Sequence, residues 1–249
     1  MNQVIETILN HRSIRKFEDR PLTDEQIKTI VKCAQAASTS SYMQAYSIIG
    51  IKDQEKKKKL AEIAGNQSYV EKSGHLFMFC ADLFRHEVAS RMEKVDVSLS
   101  LESTEKFMVA LIDAALAAQN AALAAESMGL GICYIGGIRN HSEEVSKLLK
   151  LPNRVIPLFA LTVGYPAKES SKKPRLPLEH IYHEETYQQD VNIYEKQLKE
   201  YNKVISHYYE ERTKGKRKDT WTGQMASTLS NPKRMYMKDF VKRKGFNLK

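Results

Sequence analysis

The chain has 249 residues, 42% of them hydrophobic, so it can bury the core of one large domain or of a domain with an extension. Its 11 glycines and 7 prolines are too few for a fibrous or disordered chain. The formal net charge is +9, and all of the excess lies in residues 211–249, which hold 12 Lys and Arg against 3 Asp and Glu. Such a basic tail suits an anionic ligand, a nucleic acid or simple solubility.

The cysteines and the N-terminus indicate a cytoplasmic protein. Cys33, Cys80 and Cys133 are far apart, without metal or redox-motif spacing, and are expected to be free thiols in a reducing compartment. No basic leader followed by an apolar core opens the chain, so no secretory signal is expected. The weakly polar stretch at 109–131 carries Asp113 and other polar residues, which favours a helix of a soluble protein over a membrane span.

The predicted elements begin with an N-terminal amphipathic turn and a helix over about 23–37, which opens on a capping box at 23–26. Apolar runs at 46–51 and 75–81 are predicted as buried strands. Between them a helix is expected at 54–64, with Lys56 to Lys59 mostly on a solvated face.

The strongest helix prediction covers residues 105–129. Eight alanines lie between positions 114 and 125, so other elements can approach this helix closely, and Gly129 is a plausible C-cap. The remaining predictions are strands at 132–135 and 156–163 and helices at about 142–149, 192–210 and 233–244. This order indicates an α/β or α+β domain with a central sheet. A doubly wound dinucleotide fold is disfavoured, because no Gly-x-Gly-x-x-Gly follows the first strand.

Several short motifs could bind an anionic or flat ligand. His11-Arg12-Ser13-Ile14-Arg15 places two guanidinium forks and a hydroxyl together, which suits phosphate, although two surface arginines are the ordinary alternative. Four hydroxyl residues, 38–41, could bond a polyol or simply form a turn. The paired glycines of 134–139 (YIGGIR) could let a flat ligand approach the backbone, or could form a tight turn.

Two further motifs are basic. Residues 173–177 (KPRLP) present two cations between prolines, and residues 212–221 add a cluster of cations and Trp221, which could stack on a base or lie on a solvated face. No general acid–base pair, nucleophile elbow or phosphate-cradling loop is evident. His180 and His183 do not have a known metal-ligand spacing, so no metal site is expected.

Taken together and in this order, the motifs resemble the flavin-dependent nitroreductase family. The resemblance rests on HRSIRKF at 11–17, the hydroxyl run at 38–41, GNQSYV at 65–70, AAESMGLGICYIGGIRN at 124–140, LFALTVGYP at 158–166 and KPRLP at 173–177. It extends over essentially the whole chain. It is closest to the NADPH-dependent subgroup of FMN oxidoreductases and oxygen-insensitive nitroreductases.

The resemblance implies an α+β fold of three layers, α/β/α, whose mostly antiparallel central sheet is flanked by helices. It implies an FMN-binding core over residues 1–190 and a basic helical extension over 191–249, within a single domain overall. It further implies an intertwined homodimer with an FMN site at the interface. The residues that it assigns to FMN are His11, Arg12, Ser13, Arg15, Thr39 (from the other subunit), Gln67, Tyr134, Ile135, Gly136, Gly137, Lys173 and Arg175. Those that it assigns to NADPH are Arg212, Arg217 and Arg234.

The activity that the resemblance implies is hydride transfer from NADPH to bound FMN and on to a nitroaromatic, quinone or flavin acceptor, in ping-pong order. The flavin carries the chemistry, so no catalytic side chain is expected. A dedicated flavin reductase that releases reduced FMN remains an alternative. A nucleic-acid-binding protein that uses the basic tail is the non-enzyme alternative, disfavoured because residues 1–210 are charge-balanced. Nucleic acid and membrane are not expected as partners, and the physiological acceptor stays open.

Overall fold

The computed structural model describes residues 2–168 and 170–249. These residues form two compact units: Met1–Ser170 with Tyr236–Lys249, called unit 1, and Ser171–Met235, called unit 2. The sequence places a boundary at residue 190, whereas the contacts divide the chain after Ser170 and return its last 14 residues to unit 1.

Unit 1 is built around a four-stranded sheet in which every neighbouring pair is antiparallel, in the order β1-β2-β4-β3. The strands are β1 (Tyr46–Ile51), β2 (His75–Asp82), β3 (Gly131–Ile135) and β4 (Val155–Gly164). All four predicted strands are confirmed within one or two residues at their ends. Every residue of β2 is buried, because helices cover both faces of the sheet.

The helices of unit 1 are α1 (Gln3–Leu9), α2 (Asp24–Gln35), α3 (Gln54–Ile63), α4 (Ser68–Glu71), α5 (Phe84–Glu93), α6 (Ser98–Leu101), α7 (Thr104–Ser127), α8 (Ser142–Leu148) and α11 (Met237–Arg243). Leu60 of α3 and Val145 of α8 pack with Met78 in a core on one face of the sheet. Ile30 of α2 and the α7 alanines pack with Phe77 and Phe79 on the other face. The predicted α+β fold of three layers is therefore confirmed.

Local sequence explains where the main helices begin and end. The capping box of α2 is complete, since the Thr23 hydroxyl accepts the Gln26 amide and the Gln26 side chain accepts the Thr23 amide. The α7 helix ends at Ser127, and Gly129 follows with a φ of 74°, which a glycine adopts without a steric penalty. Along α7, nine residues are buried, and seven of them are alanines.

One described helix, α7, is long and apolar enough to cross a membrane by length and composition. Half of its most apolar window is buried inside the fold. The packing of its alanines against α2 and the sheet is that of a core helix.

Unit 2 consists of α9 (Val191–Arg212), α10 (Trp221–Leu229) and a short 3-10 turn at Leu178–His180. Its small core gathers Tyr201, Ile205 and Tyr209 of α9 with Trp221 of α10. Asn202 fastens the two helices by accepting the Thr222 amide at 3.1 Å and donating to the Thr222 hydroxyl at 2.8 Å. The helix at 192–210 was predicted, and α10 was not.

Candidate functional site

The N-terminal motif lies along the edge of the sheet. Residues 11–17, called the strap, run parallel to the start of β3 through a bridge between Ser13 and Ile132, and the Ile14 amide donates to the Ile132 carbonyl at 2.8 Å. A Cβ at Gly131 would lie 2.6 Å from the Ile14 side chain, so only glycine lets the strap approach this closely. The strap is therefore held to β3 by backbone pairing.

Three predicted segments meet at the strap. The Arg15 side chain lies close to the Tyr69 hydroxyl, and that hydroxyl donates to the Gln67 side chain at 2.8 Å. Ser13 lies next to the Cys133 thiol on β3. Burial raises the pKa of Tyr69, and Arg15 opposes that rise. We call Ser13, Arg15, Gln67, Tyr69 and Cys133 the strap cluster.

The backbone before Gln67 sets the direction of its side chain. Gly65 and Asn66 have φ values of 95° and 58°, which end α3 in a left-handed turn. The Gln67 amide donates back to the Ala61 carbonyl at 3.1 Å. The half-buried Gln67 is thereby fixed at the first position before α4, where Tyr69 reaches it.

The end of β3 supplies the YIGG motif. Ile135 is buried, whereas the Tyr134 ring is 37% exposed and packs edge-on against Phe159. Desolvation raises the pKa of Tyr134, with the Glu126 carboxylate adding to the effect.

The two glycines of this motif have different surroundings. A Cβ at Gly137 would lie 2.5 Å from the Ala64 carbonyl, so packing against the end of α3 already requires this glycine. At Gly136 a Cβ would meet the flexible end of Arg139 at 3.3 Å, so packing requires glycine less strictly there. Close approach of a ligand therefore explains the glycine better at Gly136 than at Gly137.

His11 and Arg12 face the C-terminal part of α7. His11 Nδ1 lies 2.7 Å from a Glu126 carboxylate oxygen, and Arg12 donates to the Asn10 carbonyl at 3.4 Å. A cavity of about 380 Å³ is lined by Arg12, Asn10 and Glu126 together with Gly131. Of the residues that the resemblance assigns to the phosphate end of FMN, Ser13 and Arg15 lie in the strap cluster, whereas His11 is turned toward α7.

Thr39 lies in a loop that is hydrogen-bonded to α7. The fully buried Asp113 carboxylate accepts the Ser40 and Ala45 amides, each at 3.0 Å. Between them Ser41 and Tyr42 adopt φ values of 47° and 60°, and the Tyr42 ring is 82% exposed. The loop is also hydrogen-bonded to α5, and the assignment of Thr39 to the other subunit's site stays a prediction.

In unit 2, the predicted cations gather on neighbouring tyrosines of α9. Lys173 Nζ lies 5.3 Å and the Arg217 guanidinium 4.4 Å from the Tyr209 ring centroid. Arg212 donates to the Tyr208 hydroxyl at 3.0 Å, with its guanidinium 5.8 Å from that ring. These distances are typical of cation–π contacts. Unit 2 therefore concentrates positive charge at the end of α9.

The remaining predicted residues of unit 2 are less closely grouped. Arg175 is exposed and acts electrostatically on Tyr201, whose hydroxyl donates to the Pro174 carbonyl at 2.9 Å. Arg234 is half-buried at a φ of 60°. Arg217 also pairs with Asp219, Nε to Oδ2 at 2.6 Å. A phosphate that approached Arg217 would compete with this carboxylate.

Sequence reasoning missed four residues that shape these clusters: Tyr69, Asp113, Tyr208 and Tyr209. The Tyr69 position inside GNQSYV was a usable signal, since it lies two residues after Gln67. Asp113 interrupts an apolar helix, and a buried carboxylate of that kind must have partners. In the described parts of the chain, no group of three or more His, Cys, Asp or Glu side chains is arranged to hold a metal.

Comparison with known proteins gives matches over almost the full chain. Residues 8–165 match the sequence profile of the nitroreductase family, and residues 173–249 match that of the nitroreductase family C-terminal domain. The chain is 58% identical over 247 residues to the FMN reductase (NADPH) of Bacillus subtilis strain 168, covering 99% of each protein.

Two solved structures agree with this match. B. megaterium NfrA1 is 71% identical, with a TM-score of 0.98 over 99% of this chain and 100% of that one. The NADPH:FMN oxidoreductase of Vibrio harveyi, in complex with NAD+, is 38% identical, with a TM-score of 0.89 over the whole of both chains.

Proposed function

This chain belongs to the nitroreductase family, and from that membership we propose that it binds FMN and uses NADPH to reduce small-molecule acceptors through it. The observation that carries the proposal is the strap cluster, where three sequence motifs separated by up to 120 residues meet. Full-length similarity to the FMN reductase (NADPH) of B. subtilis supports both the flavin and the nucleotide.

The strap cluster fits a phosphorylated flavin. Arg15 and Ser13 offer a guanidinium fork and a hydroxyl to a phosphate or ribityl chain, and Arg12 lies on the same strap. Gln67 offers an amide to the polar edge of the ring, and Tyr134 with Gly136 borders the other side at the end of β3. The donor set is cationic and neutral, as a bound phosphate dianion requires.

When bound, FMN supplies the hydride-accepting and electron-donating chemistry, so the protein needs no acid or base of its own. The task of this chain is to hold the two reactants in turn over one face of the ring and to place positive charge nearby. One slot shared by donor and acceptor gives ping-pong kinetics.

Removing the Arg15 guanidinium tests the flavin site. Arg15→Met is expected to weaken FMN binding to the apoprotein by about 10- to 100-fold, since a hydrogen bond to a charged group contributes roughly 1.5–3 kcal/mol. Fluorescence quenching of FMN during reconstitution gives the Kd. Lys16→Met, which removes the neighbouring exposed cation, should leave the Kd unchanged. Equal FMN affinity in Arg15→Met and the wild type would overturn the assignment.

The cations of unit 2 are the proposed source of a preference for NADPH over NADH. The two differ by one 2′-phosphate, and Arg212 and Arg217 are exposed at the end of α9. Arg212→Ala and Arg217→Ala should each raise KM for NADPH several-fold and leave KM for NADH nearly unchanged. Equal losses with the two nucleotides would refute the assignment.

The name of the B. subtilis relative favours flavin itself as one acceptor. Two activities are therefore proposed as alternatives. One is a flavin reductase that releases reduced FMN, and the other is a nitro or quinone reductase that holds FMN tightly. Stopped-flow oxidation of the NADPH-reduced enzyme by nitroaromatics, quinones and free FMN separates the two. Faster oxidation by free FMN than by every other acceptor would assign the flavin reductase.

We further propose that the protein is a cytoplasmic homodimer. Apolar side chains of α1 and α7 are exposed in the single chain, among them Val4 at 56%, Ile8 at 49% and Ile112 at 51%. A second copy would bury them and bring Thr39 to the site. Nucleic-acid binding is the competing use of the tail, and a colourless protein that binds DNA with a steep salt dependence would establish it.

A further inference from the structure

A cavity of unit 1 lies apart from the strap cluster and has no role in the proposed hydride transfer. Its volume is about 780 Å³, within the range of small-molecule binding sites. It is bordered by residues 17–22, by the segment after β1 and by the residues that lead into β2. None of the residues assigned above to FMN or NADPH lines it.

Its charged lining is predominantly basic. Arg20, Lys52, Lys57 and Lys72 face two carboxylates, those of Asp19 and Glu71. On the rim, Lys52 pairs with Asp24 at 2.5 Å, and the Arg20 guanidinium stacks 3.9 Å from the Tyr165 ring centroid. The stacking leaves the edges of that guanidinium, which carry its donors, directed away from the ring.

Lys57 brings an ammonium group into the protein beside the cavity. The sequence predicts Lys57 on a solvated face, yet it is 6% exposed, and its Nζ donates to the Ser73 carbonyl at 2.5 Å. The other three lysines of the run at 56–59 are exposed, as predicted, and Lys57 is the exception because α3 packs against the turn that precedes β2. A single carbonyl satisfies one of three ammonium donors, so the group can accept an anion as a further partner.

His75 is the second buried polar group of the lining. It is 2% exposed, and neither ring nitrogen has a hydrogen-bond partner among the described residues. The ring packs 4.4 Å from that of Phe77, and a Cβ at Gly50 would lie 2.9 Å from Nε2. An unsatisfied buried donor costs roughly 1–3 kcal/mol, so an imidazole in this position calls for a partner.

We propose that this cavity is a second binding site, for a phosphate-bearing small molecule of nucleotide size. Lys52, Lys57 and Arg20 neutralise the phosphate, and the His75 N–H donates to one of its oxygens. Asp19 and Glu71 accept from the hydroxyl or amino groups of the rest of the molecule. This mixed lining suits a nucleotide better than inorganic phosphate, because a bare anion gains nothing from the two carboxylates.

ADP is the probe, titrated by calorimetry into the FMN-loaded full-length protein that carries Arg212→Ala and Arg217→Ala. That background removes two of the three arginines assigned to NADPH, the two that are exposed near the end of α9, and bound FMN blocks the strap cluster. We expect one ADP per chain and a shift of the His75 imidazole resonances, with adenosine and orthophosphate binding at least tenfold more weakly.

Substitutions in the lining locate the site. Lys52→Met, which changes an exposed side chain, should weaken ADP binding about tenfold, and Lys57→Met should weaken it further. Lys59→Met, an exposed lysine of the same helix paired with Glu62, should have no effect. Lys57→Met removes a buried charged group and could also change the stability of the fold. Lys52→Met changes an exposed side chain, so its effect on ADP binding does not depend on folding.

Two results would overturn the proposal. One is absence of ADP binding in the FMN-loaded tail variant. The other is a crystal structure grown with ADP in which ordered water alone contacts His75.

Discussion

Asp113 shows how one buried carboxylate determines a loop of the proposed site. It accepts the Ser40 and Ala45 amides at 3.0 Å each from the middle of α7. Those amides flank Ser41 and Tyr42, whose left-handed backbone would otherwise be costly for residues with a Cβ. The carboxylate thereby offsets local strain with two charge-assisted hydrogen bonds.

Asp113→Ala is therefore expected to lower the free energy of unfolding by about 3 kcal/mol, since the buried Ala45 amide and the partly buried Ser40 amide lose their acceptor. Denaturant unfolding measures this change. FMN retention should fall as well, because the loop carries Thr39. Asp96→Ala, which removes an exposed acceptor of the Ser98 amide, is the control, with a change within about 0.5 kcal/mol. Unchanged stability in Asp113→Ala would contradict the structural role.

His75 gives a second prediction at the same scale, in the pH dependence of stability. Burial lowers the pKa of His75 from 6.5 to about 4, and Lys52 and Lys57 add to that effect. Between pH 6.5 and 4 the unfolded chain binds the proton and the folded chain does not. Stability is therefore lost as the pH falls through this window, by about 3 kcal/mol from this residue.

His75→Phe should remove that contribution, so the difference in unfolding free energy between pH 7 and pH 4.5 should be smaller than in the wild type. His207→Phe, at an exposed position of α9, should leave the pH dependence unchanged. A wild-type slope preserved in His75→Phe would mean that other groups account for acid destabilisation.

Among the elements, those with a buried stripe were predictable and those without one were not. The predicted helices at 23–37, 54–64 and 142–149 correspond to α2, α3 and α8, each with buried residues at helical spacing. The helices α5 and α10, which bury no residue, were not predicted.

The candidate site is formed by contacts between distant parts of the chain, which the hydrophobic periodicity of the sequence does not reveal. The strap pairs with β3 across about 120 residues, and this pairing brings Arg15 to Tyr69. Family resemblance identifies the motif residues in the sequence. The close contacts that require glycine at Gly131 and Gly137 are seen only in the folded structure. In the YIGG motif, packing already requires glycine at Gly137, so only Gly136 is attributed to the close approach of a ligand.

The small side chains of α7 allow α2 and the sheet to pack closely against it. Ala118 and Ala121 are at most 1% exposed and pack against α2 and the sheet. Ala118→Leu is expected to destabilise the fold by about 1–3 kcal/mol through overpacking. Ala89→Leu, at an exposed position of α5, should change stability by less than about 0.5 kcal/mol. Thermal and denaturant unfolding give both values, and equal effects would remove the packing argument.

At the scale of the whole molecule, the exposed face of α7 predicts the oligomeric state. Ile112→Glu places a charge among apolar side chains that a second copy is proposed to cover. Sedimentation should show a shift toward monomer, accompanied by loss of FMN. Met92→Glu, at a 75% exposed position of α5, is the matched control and should stay dimeric. A wild-type protein that sediments as a monomer would refute the proposed interface.

The basic tail divides between the two units, which changes the electrostatic argument. Of its 12 cations, five lie in residues 236–249, which belong to unit 1. There Lys244 is 8% exposed and donates to the Leu151 and Pro152 carbonyls, while Lys249 pairs with Glu102 at 2.5 Å. These cations are used in the fold, so fewer than the charge count suggested are available to a nucleotide.

The exposed cations of unit 2 remain, and their proposed attraction for the 2′-phosphate should be screened by salt. The Debye length falls from about 10 Å at 0.1 M to about 3 Å at 1 M ionic strength. KM for NADPH should therefore rise several-fold over that range, and KM for NADH should rise less. In Arg217→Ala the two salt dependences should converge, because the guanidinium on the Tyr209 ring no longer contributes. Parallel salt dependences for NADPH and NADH in the wild type would show that the tail does not recognise the 2′-phosphate.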